Sequence, residues 1–440
     1  MPKPYKNIDS TIFKLALPSL ATLLAEPLLI AADSTMVGRL GTNPLAGLSL
    51  ASTVLTALVG LCVFLAYATT AATARMVGAD KPAEGLRLGI DSLWLAAGLG
   101  FLLGVLLFCG ASSILALFHP SADVLGEAVR YTRFSALGLP GMLLVLAATG
   151  TLRGFADAKT PLYATTVGAI LNIPLNYLFI YVFQLGVGGA GLGTAIAQSL
   201  MAFYLCFVLY RRTMALHVGL KPTGTGVLRS LREALPLIVR TASLRGAILL
   251  QIAGATTLGT VALASNQIVM TVWNFAAYGL DSLATAAQIL VGQSLGSKDR
   301  ERVDAVLRRC LVWGVRVGVG LGIALAVVSS LIAQVISHDD AVRQLSTQTL
   351  WLTSASLPVA ALAYMLDGVL IGAGDTRKLA KYMLMALVAF APIPLVIVVW
   401  GAQWGTVGML ILWSGYALLF MAVRGLTMLY RVHSDAWMRF

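Results

Sequence analysis

Glu26 and Asp33 stand in LALPSLATLLAEPLLIAADSTMVG (15–38), a stretch otherwise apolar and long enough to cross a bilayer as one helix. Seven residues apart, they lie two turns apart on one helix face. Carboxylates in a spanning helix are costly and face a cavity or a partner. A low-dielectric setting disfavours the charged form, which brings proton exchange at Asp33 into the working pH range. Pro18 and Pro27 are points at which the same helix can kink. Proton uptake at Asp33 and repacking about those prolines would then be one coupled event. The blander reading makes Asp33 a structural carboxylate bonded to neighbouring amides. Glu26 either extends a proton path or attracts a cation, or it pairs with a basic side chain.

Asn172 and Asn176, four residues apart, share one face of another apolar stretch. They can hydrogen-bond Asp33 or a hydrated cation, or serve as glue between helices. Arg240, Asp281 and Asp367 fall in three further apolar stretches. Buried charges pair, because an unpaired one costs several kcal/mol. The expectation is a network in the second half in which Arg240 neutralises Asp281, Asp367 or both. Arg245 and Arg316 also fall within spans and receive no role. No His/Cys cluster, Ser-His-Asp set or Walker A pattern stands out. The chain therefore reads as no enzyme, with no cofactor, no metal and no use of ATP.

The elements that must hold these residues are membrane spans. Of the 440 residues, 58% are hydrophobic and 11% charged, against about 25% charged in a soluble domain. Twelve helices are expected at 11–37, 45–78, 86–118, 122–150, 160–183, 189–212, 231–257, 262–295, 303–336, 340–372, 379–400 and 406–430. The first is too long for a signal peptide and lacks a clear cleavage site, so it should remain as a span. With both ends inside, most of the 31 Lys and Arg fall on the cytoplasmic side. They run from Lys3, Lys6 and Lys14 through Arg211, Arg212, Lys221, Arg229 and Arg232 to Lys298, Arg300, Arg302, Arg308 and Arg309. Arg39, Arg130, Arg133 and Arg343 fall outside. The net charge of +12 thus follows the positive-inside rule and implies no nucleic-acid partner. Trp273, Trp351, Trp400 and Trp404 read as interfacial anchors. Cys62, Cys109, Cys206 and Cys310 are scattered in apolar spans and read as packing residues.

A shift of 218 residues lays the chain on itself. Leu17-Pro18 falls on Leu235-Pro236, Leu139-Pro140 on Leu357-Pro358, and Pro174 on Pro392. Gly150, Gly154 and Asp157 fall on Gly368, Gly372 and Asp375. Chance apolar similarity would not keep prolines and glycines in register so far. The fold expected is an all-α membrane protein with twelve transmembrane helices. They form two six-helix lobes, 1–217 and 218–440, related by a parallel internal repeat. The intramembrane charges are not repeated: Asp33 falls on Gln251, Asp281 on Val63 and Asp367 on Thr149. Shared residues should be structural, and those peculiar to one half are candidates for function.

AAYGLDSLATAAQILVGQSLGSKD (276–299), LPVAALAYMLDGVLIGAGDT (357–376), LNIPLNYLFIYVF (171–183) and GGAGLGTAIAQ (188–198) together resemble the multidrug and toxic compound extrusion (MATE) transporters, in their DinF-like branch. The first helix, with Asp33 fifteen residues after Pro18, resembles that branch as well, and the likeness covers nearly the whole chain. It implies two lobes in a V, alternating access, and export of amphipathic or cationic compounds driven by H⁺ or Na⁺. Asp33 matches the first-helix carboxylate of the N-lobe cation site, and Asn172 and Thr194 match its polar companions. Asn176 departs from the pattern, since relatives commonly carry an Asp there. One negative charge fewer suits a hard cation less and favours H⁺. In other branches a nearby carboxylate serves as a second proton site, which makes Asp367 a candidate for that role; the alternative is a static ion pair with Arg240 that fixes the lobe.

The functional expectation is an H⁺-coupled antiporter, Na⁺ remaining possible, that exports drugs and toxic compounds through protonation of Asp33 and repacking of the first helix. The alternative is a lipid-linked oligosaccharide flippase, which would want a strongly cationic cleft. The remaining partners are the lipid bilayer and small amphipathic or cationic substrates. The expected form is a monomer in the inner membrane with both termini cytoplasmic.

Overall fold

In the computed structural model the described residues are 7–438, without the side chains of 225–230. Lys3, Lys6 and the side chain of Arg229 lie outside that description. The chain is all-α. In order, α1 is Ile8–Gly38, α2 Thr42–Gly78, α3 Pro82–Ala116, α4 the pair Ala122–Ala136 and Leu139–Gly154, α5 Lys159–Val182 and α6 Val187–Leu216. Then follow α7 Gly224–Thr257, α8 Thr260–Gly296, α9 Arg300–Ile336, α10 Asp340–Ala373, α11 Thr376–Gln403 and α12 Gly405–His433. Among the described residues ten helices are long and apolar enough to cross a membrane, and the bent α4 makes an eleventh. The remaining long helix is α8, whose apolar run is broken by Ser265, Asn266, Gln267, Asn274 and Asp281.

Chain contacts form two compact units. The N-terminal unit is Leu17–Leu235, and the C-terminal unit joins the described residues up to Ala16 to those from Pro236 onward. Both crossings fall at a Leu-Pro pair, 218 residues apart. Helix bounds keep the same register, since Thr42–Gly78 maps onto Thr260–Gly296. So do the left-handed backbone positions: Gly41 and Gly259 have φ of 131° and 102°, Asp80 and Lys298 58° and 55°, His217 and Asp435 53° and 54°. Close helix approach is repeated too. A Cβ on Gly150 would lie 2.6 Å from Ala66 O, and one on Gly368 would collide with the matching Ala284 O. Asp157 bonds Arg212 in one unit, and Asp375 meets Arg431 Nε at 2.7 Å in the other. The repeat is therefore a repeat of packing as well as of letters.

Residues 217–223, between α6 and α7, are bound along one face of α3. Arg87 donates to Gly219 O at 2.6 Å and to Lys221 O, and Trp94 Nε1 donates to Leu220 O at 2.9 Å. Buried Asp91 accepts from Thr223 N at 2.8 Å and from its hydroxyl at 2.5 Å. Positions 87, 91 and 94 lie on one helix face.

The structure departs from expectation at several points. α2 is interrupted at Cys62–Val63, where Cys62 N turns back to Val59 O in a tightened turn. α4 bends by 50° where Gly138 precedes Leu139-Pro140, since proline offers no N–H. α7 begins seven residues before the expected 231, the chain being helical directly after the bound segment. Trp273 is 3% exposed rather than interfacial. It packs edge-on to Trp413 and Tyr416 at 6.2 and 5.6 Å, so the C-terminal unit uses it as core.

A closed ring of side chains in the N-terminal unit

α1 enters the N-terminal unit with Pro18 and Pro27 inside it and brings Asp33 against α5 and α6. The apolar cluster of Val37, Leu48, Leu55, Leu107, Ile180 and Val187 fixes this end of α1. Tyr181 ties it down by donating to Met36 O at 2.6 Å. Tyr181 lies in a π-helical stretch, Leu178–Val182, just after Asn176. Such bulges re-aim side chains and often accompany functional sites.

Four side chains then close a ring. Asn176 Nδ2 donates to Asp33 Oδ1 at 2.5 Å and to Asn172 Oδ1 at 3.1 Å. Asn172 Nδ2 donates to Thr194 Oγ1 at 3.2 Å, and Thr194 Oγ1 donates to Asp33 Oδ2 at 3.2 Å. Asp33, Asn172 and Asn176 are 5%, 2% and 0% exposed. Both carboxylate oxygens accept, so the ring as it stands suits an ionised Asp33. Asn176 Oδ1 is buried with no partner among the described residues. It fits only because residue 193 is glycine: a Cβ there would overlap that oxygen. Tyr131, from α4, sits beside Thr194 and within electrostatic reach of Asp33.

Glu26 is exposed on α1, outside the ring. In the C-terminal unit Arg240 Nε donates to Asp367 Oδ1 at 3.0 Å, and its Nη2 meets Oδ2. A second arginine, Arg424 of α12, brings Nη2 to 3.2 Å from the same Oδ2 and lies over the Tyr364 ring at 4.9 Å. Asp281 is half-buried on α8, within electrostatic reach of Tyr364. Arg245 is exposed, and Arg316 stacks on Trp313 at 5.4 Å. Sequence reasoning missed Tyr131, Tyr181, Gly193 and Arg424. Arg424 carried a signal, as a cation inside the expected helix 406–430.

A family model, MatE, matches residues 18–178 and again 236–399. The chain belongs to the MatE family. The two matched stretches start at the two Leu-Pro crossings, at Pro18 and Pro236. Protein DETOXIFICATION 43 of Arabidopsis thaliana is 35% identical over 311 residues, 70% of this chain and 57% of that protein, so the chain spans little more than half of that relative. DNA damage-inducible protein F of Escherichia coli (strain K12) is 29% identical over 428 residues, 96% of this chain and 91% of that protein. The Vibrio cholerae MATE transporter VcmN in its bent form shares the fold, with a TM-score of 0.87, 19% identity and 98% of each chain covered. The chain is a multi-pass membrane protein of the MatE family. Its fold is that of twelve transmembrane helices in two six-helix lobes.

Proposed function

We propose that this chain is an H⁺-coupled antiporter that exports amphipathic or cationic compounds by alternating access, with Asp33 as the proton-exchanging group. The observation that carries this reading is the closed ring and the amide at its centre. An asparagine is donor on one end and acceptor on the other, so Asn176 has a partner to offer Asp33 in either protonation state. With Asp33 ionised, the Asn176 NH₂ donates to it, as does Thr194. When Asp33 takes a proton, its hydroxyl needs an acceptor. Half a turn of the Asn176 amide brings the buried, unpartnered Oδ1 to that place. The ring then runs in reverse, with Asn172 Nδ2 donating to Asn176 and the Thr194 hydroxyl donating to Asn172.

The reversal releases Asp33 Oδ2 from Thr194. Two charge-assisted bonds from α5 and α6 become one neutral bond to α5, and charge-assisted bonds are about twice as strong as neutral ones. α1 is thereby loosened from α6 and repacks about Pro18 and Pro27. H⁺ enters from outside, the substrate leaves outward, and the empty carrier returns to release H⁺ inside. Each ligand must favour one state, or it shifts nothing. Glu26, exposed in a spanning helix, attracts a cationic substrate. The carrier works as a monomer in the inner membrane with both termini in the cytoplasm, the side that the Lys and Arg of the loops select.

The test is purified protein in liposomes loaded with a fluorescent cationic drug, under an imposed pH gradient and then a Na⁺ gradient. A pH gradient should drive export in the wild type and not in Asp33→Asn of equal folded yield. Export driven by Na⁺ alone overturns proton coupling. Export indifferent to both gradients and to Asp33→Asn brings the flippase reading forward.

A further inference from the structure

The C-terminal unit buries a carboxylate with a different fate. Asp367, on α10, is 2% exposed, and its neighbours are buried as well: Arg240 of α7 at 4% and Arg424 of α12 at 0%. Arg240 engages both oxygens, one through Nε and one through Nη2. Arg424 adds a second guanidinium at 3.2 Å from Oδ2. Arg424 is itself fixed on three sides. Its Cζ lies 4.9 Å over Tyr364, its Nη1 is 3.8 Å from Met421 Sδ, and its Nη2 faces the carboxylate. From α8, Asp281 acts on the same Tyr364. α9 meets this part of α10 with Gly314 against Met365, which leaves the α10 chain close-packed there.

We propose that Arg424 locks Asp367 as a permanent anion, and so confines proton exchange at a buried carboxylate to the N-terminal unit. The second part rests on the reading of Asp33 given above; the first does not. Two fixed guanidinium groups hold one carboxylate charged, since protonating it would leave buried cations without their anion, and guanidinium itself does not deprotonate in proteins. Tyr364 lies within electrostatic reach of Arg240, Arg424, Asp281 and Asp367, so two carboxylates are matched by two guanidinium groups, and Arg240 alone would leave one carboxylate in excess. The second arginine shares Oδ2 at a distance of pairing without the alignment of a hydrogen bond, so its contribution is charge more than geometry. Neither arginine nor Asp367 has a counterpart in the other half, where Thr22, Cys206 and Thr149 stand at the matching positions. Arg424 is a positioning residue that acts through the charge state of Asp367.

Infrared difference spectroscopy in liposomes, between neutral and mildly acid pH, tests this directly. Protonation of a carboxylate gives a carboxylic-acid stretching band. The wild type should show one such band, and Asp33→Asn should lose it. Arg424→Gln should gain a second band and take up roughly twice the protons per molecule. Asp367→Asn added to Arg424→Gln should remove that second band. The double variant restores the charge count, so it keeps the test open should Arg424→Gln fold poorly: its band should match the wild type. A wild-type band that survives Asp33→Asn and disappears in the double variant overturns the lock. No wild-type band at all, with a band gained in Arg424→Gln, keeps the lock and removes proton exchange from Asp33.

Discussion

The polar ring of the N-terminal unit and the same four positions of the C-terminal unit share a backbone and nothing else. At 218 residues' remove, Asp33 becomes Gln251, Asn172 becomes Phe390, Asn176 becomes Pro394 and Thr194 becomes Leu412. Phe390 is packed edge-on to Tyr416 and Phe420 at 5.8 and 6.0 Å. Leu412 and Pro394 close around Gly254, at 3.1 and 3.6 Å from where its Cβ would be. Gln251 is 0% exposed, with both amide atoms unpartnered among the described residues. The duplicated framework fixes where helices cross. The polar ring stands in one copy, and apolar residues fill three of the four matching positions in the other. The C-terminal unit puts its charge instead on α7, α10 and α12, where it is paired.

The comparison can be broken or sharpened in order of expected effect. Asp33→Asn removes the only ionisable side chain of the ring, and on the proposed reading gradient-driven export should fall to the level of empty liposomes. Asn176→Asp should alter the coupling ion, because a second carboxylate suits a hard cation. Na⁺-driven export should appear or grow, and the measurement is the same flux under a Na⁺ gradient. Gly193→Ala would press a methyl onto Asn176 Oδ1, at a cost of about 1–3 kcal/mol in overpacking. Its Tm should fall and export should fall with it. The matching Ile411 already carries a side chain, so Ile411→Ala should leave export unchanged. Gln251→Leu is the mildest change. It removes two buried unpaired polar atoms, each costing about 1–3 kcal/mol, so Tm should rise with transport untouched. A drop in either would show that Gln251 has work of its own.

Much of this was readable in the letters. Prolines and glycines recur at one spacing because each marks a joint or a close helix contact, as at Gly150 and Gly368 against Ala66 and Ala284. Asp33 was readable because a carboxylate is costly among apolar neighbours. Asn172 and Asn176 needed the family resemblance, since amides glue helices as often as they bind anything. The break of α2 at Cys62–Val63 left no mark, because the letters on both sides are apolar. Tyr131 and Tyr181 were invisible for another reason: a tyrosine in a span is anchor, packing or donor, and only its neighbours decide. Trp273 misled in the same way, read as an anchor when it is core.

The segment bound along α3 has a practical consequence for anyone labelling or splitting the molecule. A loop between two repeated halves is the usual place to insert a reporter or cut a gene in two. Here residues 219–223 are held by Arg87, Asp91 and Trp94, so an insertion after Leu220 would tear the segment from its helix. An insertion after Gln184, in the short turn before α6, meets no such side-chain ties among the described residues, only the backbone bond from Leu185 N to Phe179 O at 3.0 Å. Fluorescence-detected size-exclusion of the two fusions should give a folded peak for the second and a diminished one for the first. The segment that joins the halves is already spoken for by one of them.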